Sequence, residues 1–460
     1  MTLRGKILQA SGFHAPEPGA VDILDNVLID IDTDGVIRAV TRPEDPDHLK
    51  MRAEAEAEGR LERVPEGRYL LPGLVDCHVH APQYPQLGTA LDVPLEVWLH
   101  RYTFPLEARY ADLAFARRAY GLLVEDLLAN GTTTALYFAT VHQDATRLLA
   151  DICLEKGQRA LIGKVVMDDA ESCPDDYRDI STEAALSGTV DFIDYVGAHP
   201  DNGEHQVLPV VTPRFIPSCT DAALEGLGQI ARDCGCHIQT HCSESDWEHG
   251  FVLARHGVTD TESLDRFGLL TRRTMLAHSN FITPDDIDRI RMREAAVAHC
   301  PLSNAYFAGA AFPLRAALEK GLNIGLGTDI SGGPSASLFE NARAAILMAR
   351  VLESGVDPHL DAASRASGTP ARVDFRHAFH LATAGGGKAL DLAIGLFAPG
   401  FHFDAIVVDP EAEKGTMRLF DELDAGESIL QKIIYSASRA NIADVYVGGI
   451  ARTSGKRAGA

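Results

Sequence analysis

Leu71-Pro72-Gly73-Leu74-Val75-Asp76-Cys77-His78-Val79-His80 reads as a buried strand that closes on two histidines one residue apart. Residues i and i+2 of a strand face the same way, so the imidazoles of His78 and His80 share one side, roughly 7 Å apart at the backbone. That spacing suits a single cation. Val79 faces the opposite layer. Alone, a His-x-His pair describes any two half-exposed strand histidines, and the meaning of this one depends on what answers it elsewhere.

Seven further apolar stretches follow at 132–140, 159–168, 207–215, 237–243, 274–279, 295–300 and 323–328, with helical texture between them. With 71–80 they make eight strands alternating with helices, which predicts a parallel β/α architecture and, by count, a (β/α)8 TIM-like barrel. Asn130-Gly131 ahead of Thr132-Thr133-Thr134 is a helix stop followed by a strand start. The ends of the chain read differently. Val21 to Leu24, Gly35 to Val40, Asp404 to Asp409 and Asp444 to Gly449 are short strand-like segments, and Ala53 to Glu58 is an Ala/Glu run fit for a turn or two of helix. These features predict a barrel over 70–395 and a small β-sandwich domain built from both chain ends, 1–69 with 396–460.

The 460 residues are 46% hydrophobic and 23% charged, ordinary for a globular protein with a large core. A net charge of −23 repels polyanions, which argues against nucleic acid or an anionic membrane as partner and leaves small neutral substrates open. No apolar run reaches a membrane-spanning length and the start lacks a secretory h-region, so a cytoplasmic location is expected. Eight scattered cysteines without a Cys-x-x-Cys fit reduced thiols.

Barrel active sites sit where the strands end. Strand one ends in His78 and His80, strand four in Thr212-Pro213-Arg214-Phe215, strand five in His241 with Glu244 three residues on, strand six in His278, and strand eight in Asp329. Each has a dull explanation: a satisfied core histidine, an Asp capping the next helix, a Glu in a first helical turn. Their coincidence at one end of one barrel favours a metal centre. Three imidazoles and a carboxylate (His78, His80, His241 and Asp329) suit Zn²⁺, with iron the other choice. A cation held there lowers the pKa of a bound water toward neutrality. Glu244 is near enough in sequence to move protons at the same place, and His278 to stabilise developing charge.

These motifs resemble the amidohydrolase superfamily over nearly the whole chain, the signature being Leu71 to His80. Within it, the chain is similar to the guanine deaminases through Ala81-Pro82-Gln83-Tyr84, Trp98-Leu99-His100-Arg101-Tyr102-Thr103-Phe104-Pro105, Asn130 to Thr134, Thr212 to Phe215, Ala298-His299-Cys300-Pro301-Leu302-Ser303-Asn304 and Gly325-Leu326-Gly327-Thr328-Asp329. The resemblance implies hydrolysis of guanine to xanthine and ammonia with one zinc per subunit on His78, His80, His241 and Asp329. It implies proton transfer by Glu244, assistance by His278, purine contacts from Gln83, Arg214 and Phe215, and a homodimer. Gln83 suits a purine because an amide both donates and accepts, and Arg214 because a guanidinium forks toward an acceptor such as O6. Ser243-Glu244-Ser245 departs from the Ser-Glu-Asn ending of the deaminases and keeps the glutamate. Trp98 and Phe104 are expected either as pocket walls or as core, and His299 in a supporting structural role.

Some barrel hydrolases bridge two metals with a modified lysine at the end of strand four. Here that position carries Arg214, which cannot ligate, and Lys164 lies mid-strand, so one metal is expected rather than two. Related deaminases of 8-oxoguanine, cytosine, adenosine-like compounds or triazines remain the nearest rivals. A metal-free assembly scaffold is the rival of another class, and it would be expected to have lost some of these strand-end residues.

Overall fold

A computed structural model describes residues 1–454; positions 455–460, the tail of the expected terminal domain, lie outside the described residues. From the N-terminus come β1 (Ile7–His14), β2 (Asp22–Ile31), β3 (Ile37–Thr41), β4 (Leu61–Arg63) and β5 (Tyr69–Pro72), with the Ala/Glu run inside a helix at His48–Ala57. The next set is β6 (Leu74–His80), β7 (Thr132–Phe138), β8 (Arg159–Gly163), β9 (Val165–Val166), β10 (Val207–Pro213), β11 (His237–Cys242), β12 (Thr274–His278), β13 (Ala296–His299) and β14 (Asn323–Leu326). The C-terminal strands are β15 (Ala405–Val408), β16 (Ile442–Val447) and β17 (Ile450–Ser454).

Both chain ends share one mixed sheet in the order β17-β16-β15-β5-β1-β2-β3, with β4 alongside β1. Its apolar face buries Leu8, Val27, Ile29, Leu70, Phe403 and Val407 together. The second sheet runs β14-β13-β12-β11-β10-β8-β7-β6, every neighbour parallel, and curls into a nearly closed eight-stranded barrel with β9 extending the β8 position. β14 and β6 meet just beyond their ladders: Asp329 N–H donates to the His78 carbonyl and His80 N–H to the Ile330 carbonyl, each at 2.8 Å. The Asp76 carboxyl reinforces the seam by accepting from Thr328 N at 2.9 Å and Thr328 Oγ1 at 2.6 Å. Its burial pushes that carboxyl up to about 7, against the pull of those donors.

The stretch 71–80, expected as one strand, is two. Tyr69–Pro72 pairs with β15 in the terminal sheet and Leu74–His80 begins the barrel. Gly73 is the hinge between them. A Cβ there would lie 2.2 Å from Thr133 Oγ1, so only glycine lets the chain pass that close to β7. We propose Gly73 as the boundary between the two units, three residues later than the sequence pattern suggests. The expected strand 159–168 is likewise interrupted, at Lys164, whose buried ammonium donates to Asp179 Oδ1 at 2.7 Å. The Asn130-Gly131 stop lies between the helix Leu113–Ala129 and β7, with Gly131 at φ +86°. That helix begins where the Asp112 side chain accepts from Ala114 N at 2.9 Å, and it buries Ala116, Tyr120, Leu123, Val124 and Leu127 against the barrel.

Two buried histidines outside the strand-end cluster couple the fold to pH. His237 Nε2 is 2.9 Å from the Leu390 carbonyl and His380 Nδ1 is 2.8 Å from that of Ala15. Burial lowers both from the ordinary 6.5, against the pull of those bonds. The unfolded chain therefore takes up protons first as pH falls. Their contribution to stability is complete above about 6.5 and is lost as pH falls below it. We expect the thermal midpoint to drop between pH 7 and 5, and His380→Gln, whose amide can still donate to Ala15, to shallow that drop. Equal slopes for the two proteins would refute the assignment.

Candidate active site

The C-terminal ends of β6, β11, β12 and β14 deliver the expected residues to one place. The register of β6 against β7 slips between Asp76 and Val79. Val79 joins the helix-facing core, while the rings of His78 and His80 meet edge to face at 4.9 Å. His78 Nε2 lies 3.1 Å and His80 Nε2 3.6 Å from Asp329 Oδ1, and His80 Nε2 lies 2.9 Å from His241 Nε2. His278 Nε2 is 3.7 Å from Glu244 Oε2 and 3.9 Å from Asp329 Oδ2. All six side chains are buried.

The hydrogen-bond partners set the tautomers. His241 Nδ1 donates to the Arg214 carbonyl at 2.5 Å, which leaves its Nε2 lone pair facing inward. His278 Nδ1 donates to Asn304 Oδ1 at 2.9 Å, which does the same for its Nε2. Burial holds His78, His80 and His241 far below the ordinary histidine range, and His278 below it. Neutral nitrogens thus converge with a carboxylate. His78 Nε2 and His278 Nε2 have no hydrogen-bond partner although both are buried. Converging lone pairs are costly unless a cation sits among them, and a three-nitrogen, one-oxygen donor set suits a divalent ion such as Zn²⁺. The residues present fit such an ion.

Glu244 is held by its backbone. Its N–H donates to Glu248 Oε2 at 2.7 Å, its carbonyl accepts from Asn280 Nδ2 at 2.9 Å, and the next residue, Ser245, caps the helix Asp246–His256. Its side chain is left free to face the cluster, where burial and the nearby Asp329 raise its pKa well above the carboxylate range. The rim is strained: Ser243, His278, Ser279 and Asp329 adopt φ of +50°, +68°, +55° and +50°. Left-handed backbone at non-glycine residues costs on the order of 1–3 kcal/mol each and gathers at functional sites.

Beside the cluster lies a narrow pocket. It is lined by His80, His241, Glu244 and Asp329, by Gln83 and Arg214, and by the apolar Leu95, Trp98, Leu99, Phe215 and Phe307. The Trp98 and Phe307 rings pack against each other at 5.0 Å, tilted by 49°, and together wall an apolar slot.

The sequence profile described as the Amidohydrolase family matches residues 69–451. The chain belongs to the amidohydrolase family. It is 38% identical to the guanine deaminase of Dictyostelium discoideum over 455 residues, covering 96% of this chain and 97% of that one. It is 38% identical to the guanine deaminase of Homo sapiens over 388 residues, 83% of this chain and 82% of that protein. A crystal structure of guanine deaminase from C. acetobutylicum with bound guanine in the active site superposes with a TM-score of 0.85 at 29% identity, over 97% of this chain and 99% of that chain.

This amidohydrolase contains residues around the pocket that the sequence pattern does not single out. Glu107, 1% exposed, accepts from Gln83 Nε2 at 2.8 Å and from both Arg214 Nη atoms, at 2.6 and 3.1 Å. Removing one charge of such a buried pair costs about 3–5 kcal/mol. Asn304 orients His278, and Phe307 and Leu95 wall the slot. Asn304 stands in a segment that carries the family resemblance, so a signal existed; Glu107, three residues past Phe104, has none in its spacing. Of the two aromatic positions left open, Trp98 lines the pocket, whereas Phe104 packs behind it with the Arg214 guanidinium 5.0 Å above its ring. His299 lies outside the converging groups, its ring 5.4 Å from Phe312 and its pKa pushed down to about 3 by burial.

Proposed function

We propose that this amidohydrolase deaminates guanine hydrolytically, giving xanthine and ammonia. The observation that carries the reading is a buried donor pair, Gln83 and Arg214, lining one apolar-walled pocket together with His80, His241, Glu244 and Asp329. The guanine deaminases that align over most of this chain support it.

His78, His80, His241 and Asp329 would hold the Zn²⁺ ion, which when bound would lower the pKa of a water toward neutrality. The rest is the work of side chains. Arg214 and Gln83 donate to the purine acceptors, O6 foremost, and orient C2 toward the imidazoles. Glu244 takes a proton from the attacking water and delivers it to N3, which lets C2 become tetrahedral. It then carries the remaining hydroxyl proton to the exocyclic amine. The C2–N bond breaks, ammonia leaves, and C2 becomes the new carbonyl. His278, kept neutral with its proton on Nδ1 by Asn304, presents Nε2 to the attacking oxygen. Leu95, Trp98, Phe215 and Phe307 exclude bulk water from the slot.

No helix among the described residues is long and apolar enough to cross a membrane, and all eight cysteines are free. The reading includes a cytosolic homodimer, supported by exposed Leu347 and Leu352 on the helix Leu338–Ser354 and Val356 just after it; a monomer mass by light scattering at micromolar concentration would remove the dimer.

The deciding experiment is ammonia release by purified, metal-analysed protein from guanine, 8-oxoguanine, cytosine and adenine. Guanine is expected to be the preferred substrate, with xanthine as product and zinc bound. A zinc-loaded protein that makes no xanthine ends the reading.

A further inference from the structure

We infer that Glu107 is a positioning residue that sets the hydrogen-bond polarity of the base-binding end of the pocket, and with it the choice of a 6-oxo over a 6-amino purine. The inference rests on the guanine reading above. Glu107 projects from the helix Phe104–Ala108 and does not line the pocket; it stands behind the two residues that do. Its carboxylate only accepts. Oε2 takes Arg214 Nη1 at 2.6 Å, while Oε1 takes Arg214 Nη2 at 3.1 Å and Gln83 Nε2 at 2.8 Å. From the other side, Ser331 N–H donates to Gln83 Oε1 at 3.1 Å.

The Gln83 amide is therefore locked. Turned over, it would set its NH2 against the Ser331 N–H and its carbonyl against the Glu107 carboxylate, losing both bonds to like-polarity contacts. The fork on Glu107 fixes the guanidinium plane, already lying over the Phe104 ring at 5.0 Å; Nη1 also meets Met167 Sδ at 3.6 Å, so Nη2 is the terminal nitrogen that keeps an N–H for a ligand. The pocket end so built offers donors from Arg214 and a fixed N–H from Gln83. A 6-oxo group matches it with an acceptor. A 6-amino group brings donors to donors and leaves buried groups unpaired, the arrangement that discriminates most strongly between analogues. The charge of Glu107 also offsets that of Arg214, which leaves this end suited to a neutral base.

The test compares kcat and KM of the wild-type protein, Glu107→Gln and Glu107→Asp on guanine and on 2,6-diaminopurine. The two bases share the 2-amino leaving group and differ at position 6 and in the N1 proton that goes with it. In Glu107→Gln a carboxamide replaces two acceptors with one, so Arg214 loses its fork and Gln83 is free to turn. We expect KM for guanine to rise about tenfold with a smaller change in kcat, and the guanine-to-diaminopurine ratio of kcat/KM to fall at least about tenfold. Glu107→Asp keeps a counter-charge for buried Arg214 but falls short of Gln83; it reads the same ratio should Glu107→Gln fail to fold. A ratio unchanged from wild type in the folded variant overturns the inference even if both rates drop, because simple damage lowers both alike. Wild-type protein inactive on guanine fails the functional reading and takes the inference with it. Guanine-active wild type with an unaltered ratio in the variants fails the inference alone.

Discussion

Glu244→Gln is expected to lower guanine turnover by about 10²–10⁴-fold, the usual worth of a positioned general acid–base, while zinc content and thermal stability stay near wild type. The separation follows from geometry. Glu244 is anchored through its backbone by Glu248 and Asn280, and neither bond involves the carboxyl. Gln fills the same space. Burial disfavours the charged form of this side chain, so a neutral amide costs the fold little. Without an ionisable oxygen, however, nothing at this position can take a proton from water and return it to N3 and to the amine. Near-normal turnover in the variant would remove Glu244 from proton transfer. A matching loss of zinc would instead make it a ligand, which its closeness to His278 and Asp329 allows as the alternative outcome.

The second large effect is His241→Ala, in which zinc and activity should be lost together. The Nε2 of His241 faces that of His80, and its Nδ1 proton is fixed by the Arg214 carbonyl, so this ring is oriented before any ion arrives. Its removal should weaken zinc binding by more than the ~10–100-fold that loss of a ligand's outer partner costs. Turnover should fall by about 10³-fold or more, several kcal/mol of transition-state stabilisation. Zinc per chain after dialysis against a weak chelator, read alongside ammonia release, checks both. A fully loaded, active His241→Ala protein would take this histidine out of the metal site. The same carbonyl belongs to Arg214, so some rise in KM for guanine is expected in any residual activity.

The site was legible in the sequence to the extent that its residues stand at strand ends. Period-two alternation puts His78 and His80 on one side without knowledge of any other element. The alternation of strands with helices forces a parallel sheet whose C-terminal edge must collect His241, His278 and Asp329. These are local rules, and they survive errors of a few residues in strand boundaries. The split of 71–80 is such an error: Gly73 looks unremarkable until the close approach of Thr133 is seen.

What the chain alone determined is therefore the barrel, the terminal β domain drawn from both ends, and the set of imidazoles and carboxylates sent to one rim. Only the tertiary structure decided how those groups are held. Glu107 meets Arg214 across 107 positions and Gln83 across 24, and Asn304 reaches back 26 to His278. The loops that bring them together carry no periodicity from which a partner could be read. A buried polar group is paired because leaving it unpaired costs more than ordering a loop around it, and which partner it finds is settled only when the folded backbone brings candidates within hydrogen-bond reach.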